Sequence, residues 1–209
     1  FVRQPIRKLD DILIYEEPNL NHFYSLGADP AEGIGQDDSA ITVIDKMTGR
    51  EVGFYIGQIQ PDLFAKKIKQ TAELFNNALA VIEINNHGLA VINALKTEYT
   101  NIYQRTVFDK ATNTKRKELG WKTSQTTKPL MVDDFIAGLR DDDVGLSTQA
   151  TVSQMMTFVH ASESSKYGMG AETGQKDDAL ISAMLAWQGL KELPSEMPMA
   201  HKGRTIKLY

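Results

Sequence analysis

Short apolar runs and polar breaks alternate along the first part of the chain. Phe23-Tyr24-Ser25-Leu26-Gly27-Ala28 runs into Asp29, and Ala40-Ile41-Thr42-Val43-Ile44 follows a polar, Gly-rich loop. Thr48-Gly49 then turns the chain into Val52-Gly53-Phe54-Tyr55-Ile56-Gly57. β-branched and aromatic runs punctuated in this way predict three antiparallel strands. After Pro61 the period changes: Phe64, Ile68, Ala72 and Phe75 recur at helical spacing while Lys66, Lys67 and Lys69 point away. The expected product is an amphipathic helix covering one sheet face.

Ala78-Leu79-Ala80-Val81-Ile82 is continuously apolar, the pattern of a central strand covered on both faces, and it delivers Glu83 at its carboxyl end. Asn85-Asn86-His87-Gly88 breaks the chain before Leu89, Val91, Ile92 and Leu95 mark a second helix, and Ile102 to Val107 reads as a further strand. The order so far is βββαβαβ. Asp109 to Gly120 is polar and basic and is expected to be a loop or a projecting hairpin. Thr126-Thr127-Lys128-Pro129 opens a helix with Leu130, Phe135 and Leu139 inward, ending between Arg140 and Gly145. Val152, Met155, Met156 and Val159 predict a short helix, with the methionines as core. Ser162 to Gly174 reads as loop or hairpin, and a last helix from about Asp177 to Leu190 should bury Leu180, Ile181, Met184, Leu185 and Trp187.

Composition narrows the class. The chain has 209 residues, 42% hydrophobic and 24% charged, and no apolar run near the roughly 20 residues of a membrane span. One globular domain over residues 23–191 is expected, between a linker at 1–22 and a tail at 192–209. The absence of cysteine removes disulfide and thiolate chemistry, so a bound metal would have oxygen or imidazole ligands, which favours hard divalent cations. The net charge of −4 is unusual for a chain that grips nucleic acid. Basic residues cluster locally at Lys66, Lys67 and Lys69, at Lys115, Arg116 and Lys117, and at His201, Lys202, Arg204 and Lys207, and taken singly each cluster reads as solvated surface.

The candidate chemistry lies in acids where apolar runs stop or helices begin: Asp29, Glu83 and the Asp177-Asp178 pair. Brought together at one end of a mixed sheet, they would form an oxygen-rich pocket for Mg²⁺ or Mn²⁺. Two such ions sharing a carboxylate, with Asp29 as the natural bridge, would suit in-line hydrolysis of a phosphodiester. The alternative for Asp177 is a helix N-cap, whereas an acid directly after buried strand residues must find a counterion, a metal or solvent. The loop Gly33-Ile34-Gly35-Gln36-Asp37-Asp38-Ser39 lacks the Gly-Lys-Ser/Thr ending of a P-loop and the ligand spacing of a Ca²⁺ hand. His87 and His160 are lone histidines, with no second imidazole beside either in the sequence.

Four segments, in this order and spacing, resemble the nuclease domain of viral large terminases, the subunits that package DNA into phage heads and cut it. They are Asp29-Pro30-Ala31-x-Gly33-x-Gly35-x-Asp37-x-Ser39, Glu83-Ile84-Asn85-Asn86-His87-Gly88, Gly120-Trp121-x-Thr123 with Thr127-Lys128-Pro129, and Asp177-Asp178-Ala179-Leu180. The resemblance spans about Phe23 to Leu190. It implies a ribonuclease-H-like α/β fold, a five-stranded mixed sheet flanked by helices. It also implies a metal-dependent endonuclease cutting double-stranded viral DNA with two Mg²⁺ or Mn²⁺ ions held by Asp29, Glu83 and Asp178. Asp177 is adjacent, and Asp178 is preferred over it as the main ligand. Lys176 stands where the family often has His.

Lys115, Arg116, Lys117, Lys128 and Lys176 are the expected DNA contacts. The resemblance further implies an amino-terminal packaging ATPase domain, absent from this sequence, which has no Walker motif and opens without Met. It implies a small terminase subunit and a portal as partners, and the host cytoplasm rather than a membrane as the place of action. Two alternatives stay open: another nuclease of the same superfamily, such as a junction resolvase or a transposase-like enzyme, and a non-catalytic interaction module with a vestigial acidic site.

Overall fold

The structure, a computed structural model, describes residues 2–31, 38–85, 87–109, 112–160 and 167–195. The Gly33–Asp37 stretch, Asn86, the first residues of the expected Ser162–Gly174 loop and the basic tail lie outside the described residues.

Six strands of the described residues form one sheet in the order β1-β2-β5-β4-β3-β6. They are β1 (Arg7–Leu9), β2 (Ile12–Ile14), β3 (Tyr24–Asp29), β4 (Ser39–Asp45), β5 (Glu51–Gly57) and, after helix α1 (Pro61–Leu74), β6 (Leu79–Ile82). The three expected antiparallel neighbours are β3, β4 and β5. β6 joins parallel to β3, Ala28 beside Ile82, and this register sets the ends of the two strands level.

The sheet is larger than the five strands expected, because part of the stretch expected to be linker is folded onto it. β1 pairs with β2, β2 pairs antiparallel with β5, and Ile12 and Ile14 are fully buried. Three-residue strands interrupted by Asp10-Asp11 offer too few positions for a period-2 signal.

Helix α2 (Gly88–Leu95) follows β6. The next expected strand, Ile102 to Val107, is split. Ile102 bridges Ala80 and Trp121 bridges Glu83, both in parallel sense. The intervening residues leave the sheet as a separate hairpin of β7 (Gln104–Asp109) and β8 (Thr114–Leu119). Backbone bonds close the split: Gly120 N–H donates to Tyr103 O at 2.8 Å and Trp121 N–H to Ile82 O at 2.8 Å.

Helices α3 (Thr127–Arg140) and α4 (Gln149–Met156), the small hairpin of β9 (Phe158–His160) and β10 (Met169–Ala171), and helix α5 (Asp178–Leu190) complete the described chain. The sheet lies between two apolar layers that its alternating side chains serve in turn. Leu26, Ala28, Ile41, Ala80 and Ile82 meet α1 and α2 through Phe64, Ile68, Ala72, Val91 and Leu95. Leu79 and Val81 meet α3 and α5 through Met131, Phe135, Leu180, Met184 and Leu185.

Three expectations of helix face are corrected. Leu130 is 64% exposed, because α3 buries Met131, Val132, Phe135 and Gly138 instead. A Cβ at Gly138 would come within 2.7 Å of the Trp187 ring, and that close crossing rotates Leu130 outward. Met156 is 77% exposed. Val159 belongs to β9 rather than to the preceding helix.

Candidate metal centre

Strand parity decides where the acids point. Ser25 and Gly27 face α5, since a Cβ on Gly27 would meet the Ser182 carbonyl oxygen at 2.0 Å and one on Gly189 would meet Ser25 Oγ at 2.1 Å. Asp29, two residues on, shares that face. Glu83 continues the face of Leu79 and Val81, which also pack towards α5. Thr42 Oγ1 on β4 and Ser182 Oγ lie 2.8 Å apart and tie the same face to the helix. Asp178 is the first residue of α5, four residues before Ser182, about 6 Å along the axis. The fold therefore gathers Asp29, Glu83 and Asp178 at one end of the sheet, under a helix amino terminus whose dipole favours negative charge.

The electrostatics report the same convergence. Burial in the first place, then the Glu83 carboxylate, a hydrogen bond between the two acids, Asp178 and finally Asp177 hold the Asp29 carboxyl well above the usual carboxylate range. Such a group favours a proton, or a cation in its place. Among the described residues no three Asp, Glu or His side chains already stand in closed coordination geometry. The donor set nevertheless fits a hard divalent ion: carboxylate oxygens alone, on half-buried residues.

Glu83 is held from behind. Asn85 Nδ2 donates to Glu83 Oε1 at 3.3 Å, to the Thr123 carbonyl oxygen at 2.9 Å and to the Tyr167 hydroxyl at 3.3 Å. A Cβ at Gly88 would fall 1.7 Å from the Glu83 carbonyl oxygen, so only glycine lets α2 begin against the turn that carries this acid.

Asp177 does not cap α5 through its side chain, contrary to the sequence expectation. Gln154 Oε1, from α4, accepts the Leu180 N–H at 3.1 Å, satisfying one orphan donor of that terminus. Asp177 Oδ2 instead lies 3.6 Å from Lys128 Nζ.

The expected DNA contacts are scattered by the fold. Lys128 is only 7% exposed, so little of its side chain is presented at the surface. Lys176 pairs with Asp38 at 2.6 Å. Lys115, Arg116 and Lys117 lie on β8 and are exposed, but strand alternation divides them. Lys115 and Lys117 share a face with Phe108 and Thr106, their cross-strand partners. Arg116 is on the other face, 2.7 Å from Glu118, which also pairs with Arg105.

Sequence patterns gave no warning of Gln154 as the cap of α5, since that bond joins elements far apart in the chain, and they assigned no role to Asn85, although it stands only two residues from Glu83. A second buried acid was also missed. Glu51 is fully buried on β5 and accepts bonds from Ser147 N–H at 2.7 Å, Thr148 N–H at 3.0 Å and Thr148 Oγ1 at 2.7 Å. It is an anchor for the segment entering α4 and lies outside the acidic cluster.

The chain has a mixed α/β fold of the ribonuclease-H-like type, as expected. Its likeness is to large terminase nuclease domains. The large terminase nuclease from thermophilic phage G20c matches with a TM-score of 0.69 at 18% identity, over 90% of this chain and 92% of that one. That nuclease has also been crystallised with bound magnesium and with bound cobalt. The nuclease domain of the Thermus phage P74-26 large terminase gives 0.66 at 19% identity, over 89% of each chain. The human cytomegalovirus terminase nuclease domain, soaked in manganese with an inhibitor bound, gives 0.52 at 10%, over 90% of this chain and 89% of that one. No protein-family model and no curated protein matches the sequence. Among the described residues no helix is long and apolar enough to cross a membrane.

Proposed function

We propose that this chain is a metal-dependent endonuclease that cuts double-stranded DNA during viral genome packaging, with Asp29, Glu83 and Asp178 holding two Mg²⁺ or Mn²⁺ ions. The observation that carries the reading is the convergence of these three acids, from two parallel strand ends and a helix start, on a fold shared with metal-bound terminase nucleases.

Asp29 is the bridging candidate, because it lies beside Glu83 and feels Asp178 as well. A cation taken up here would displace the proton that the raised Asp29 carboxyl favours and would use the Asp29 and Glu83 oxygens as ligands. Asn85 keeps Glu83 from swinging away, and the close seating of α5 fixes Asp178. Held by this set, divalent ions would supply activation of a water and stabilisation of the leaving oxygen in phosphodiester hydrolysis. Phosphates would be met by the exposed face of the β7–β8 hairpin. In a packaging motor the chain would work with an ATPase domain, a small terminase subunit and a portal, in the host cytoplasm.

Nicking and linearisation of supercoiled plasmid in MnCl₂ tests this. Asp29→Asn, Glu83→Gln and Asp178→Asn should each lower the rate by at least about 100-fold, the upper end of what losing a merely outer-shell partner costs. EDTA should abolish it. Full activity in the Asp29→Asn protein would overturn the reading.

A further inference from the structure

Lys128 occupies a position that should repel a cation. It lies in the first turn of α3, where the helix dipole disfavours positive charge, and it is 7% exposed, where desolvation disfavours charge again. Its Nζ lies 3.6 Å from Asp177 Oδ2 and 5.7 Å from the centre of the Phe158 ring. A surface ion pair would not require this placement. The compensation available is the negative field of the carboxylates at the sheet end, with Asp177 as the member it touches.

We propose that Lys128 is a positioning residue. By holding the Asp177 carboxylate on the α3 side of the site, it leaves Asp178 as the member of the pair that joins Asp29 and Glu83. The inference rests on the nuclease reading above and deepens it, because it assigns different work to two adjacent acids. Two observations agree. The Asp177 side chain is not used to cap α5, a task given to Gln154. Lys128 is only 7% exposed, and its ammonium lies 3.6 Å from Asp177 Oδ2.

A cycle of variants tests it. Lys128→Met keeps the length and apolar stem while releasing Asp177, which can then compete for the cations. In otherwise wild-type protein it should lower kcat for plasmid cleavage in MnCl₂ by about tenfold or more. KM and its salt dependence should stay unchanged, because no phosphate contact is lost. In the Asp177→Asn background the same change should cost less than about threefold, since there is no longer a carboxylate to restrain. Equal losses in both backgrounds would overturn the inference.

Calorimetry with MnCl₂ gives a readout independent of turnover, and it serves if Lys128→Met does not fold. Asp178→Asn should weaken Mn²⁺ binding by about tenfold more than Asp177→Asn does, and equal weakening also overturns the proposal. Wild-type protein that neither binds Mn²⁺ nor cuts would remove the nuclease reading itself. Loss of the background dependence alone would leave that reading standing.

Discussion

Gly27 on β3 and Ser182 on α5 approach so closely that a Cβ on Gly27 would lie 2.0 Å from the Ser182 carbonyl oxygen. The helix rests almost directly on the strand backbone, and this seating fixes how far Asp178 stands from Asp29. Gly27→Ala must therefore lift α5. The expected cost is about 1–3 kcal/mol of stability, the range for overpacking a filled core, read as a lower urea midpoint with an unchanged slope. Activity should fall further than stability, because a misplacement of about 1 Å at a reacting centre can cost on the order of 100-fold. A folded Gly27→Ala protein that cuts at the wild-type rate would show that the seating of α5 does not position the site.

The raised Asp29 carboxyl makes the metal-free protein pH-sensitive in a defined direction. Its folded value lies well above its unfolded one, so the stability it contributes is complete below the unfolded value, near pH 4. That contribution is lost as pH rises through the folded value. Asp29→Asn, which cannot ionise, should match wild type near pH 4 and become the more stable of the two as pH rises. Adding Mn²⁺ should reverse the order at neutral pH, stabilising wild type by about 2.7 kcal/mol at a hundred times its dissociation constant. Thermal melts of both proteins from pH 4 to 8, with EDTA and with MnCl₂, test this. Parallel pH profiles would mean that Asp29 carries no excess electrostatic strain.

Where backbone period sets the structure, the sequence was readable. The run ending at Glu83 had to be a two-sided strand, and strand parity then had to turn Glu83 towards the same helix as Asp29. The terminal acids were legible for that reason. What stayed hidden depends on contacts between distant elements. Nothing local couples Lys128 to Asp177, or Gln154 to the amino terminus of α5. Ile12 and Ile14 are core residues, but their strands are too short to show a pattern. The strand expected at Ile102 to Val107 failed for a different reason: its alternation is genuine, but it serves a hairpin that leaves the sheet after Tyr103. Period identifies a strand and is silent about its partner.

The same alternation separates the basic residues of that hairpin, which the sequence presents as one run. Lys115 lies opposite Phe108 and Lys117 opposite Thr106, all on the exposed face. Arg116 points to the other side, where it lies 2.7 Å from Glu118 and shares that carboxylate with Arg105. If the hairpin meets DNA, the contact is made by the face that carries an aromatic ring and two ammonium groups with no ion pair among the described residues. Each phosphate neutralised on duplex DNA adds about 0.9 to the slope of log affinity against log salt concentration. Lys115→Ala with Lys117→Ala should therefore reduce that slope by about 1.8, while Arg116→Ala should change it by less than about half a unit, since Arg116 faces away from that side of the ribbon. Binding of a fluorescent duplex between low and moderate salt, in CaCl₂ to suppress cutting, gives the three slopes. Equal effects from the double variant and from Arg116→Ala would mean that the ribbon acts as a diffuse positive charge and has no DNA-facing side.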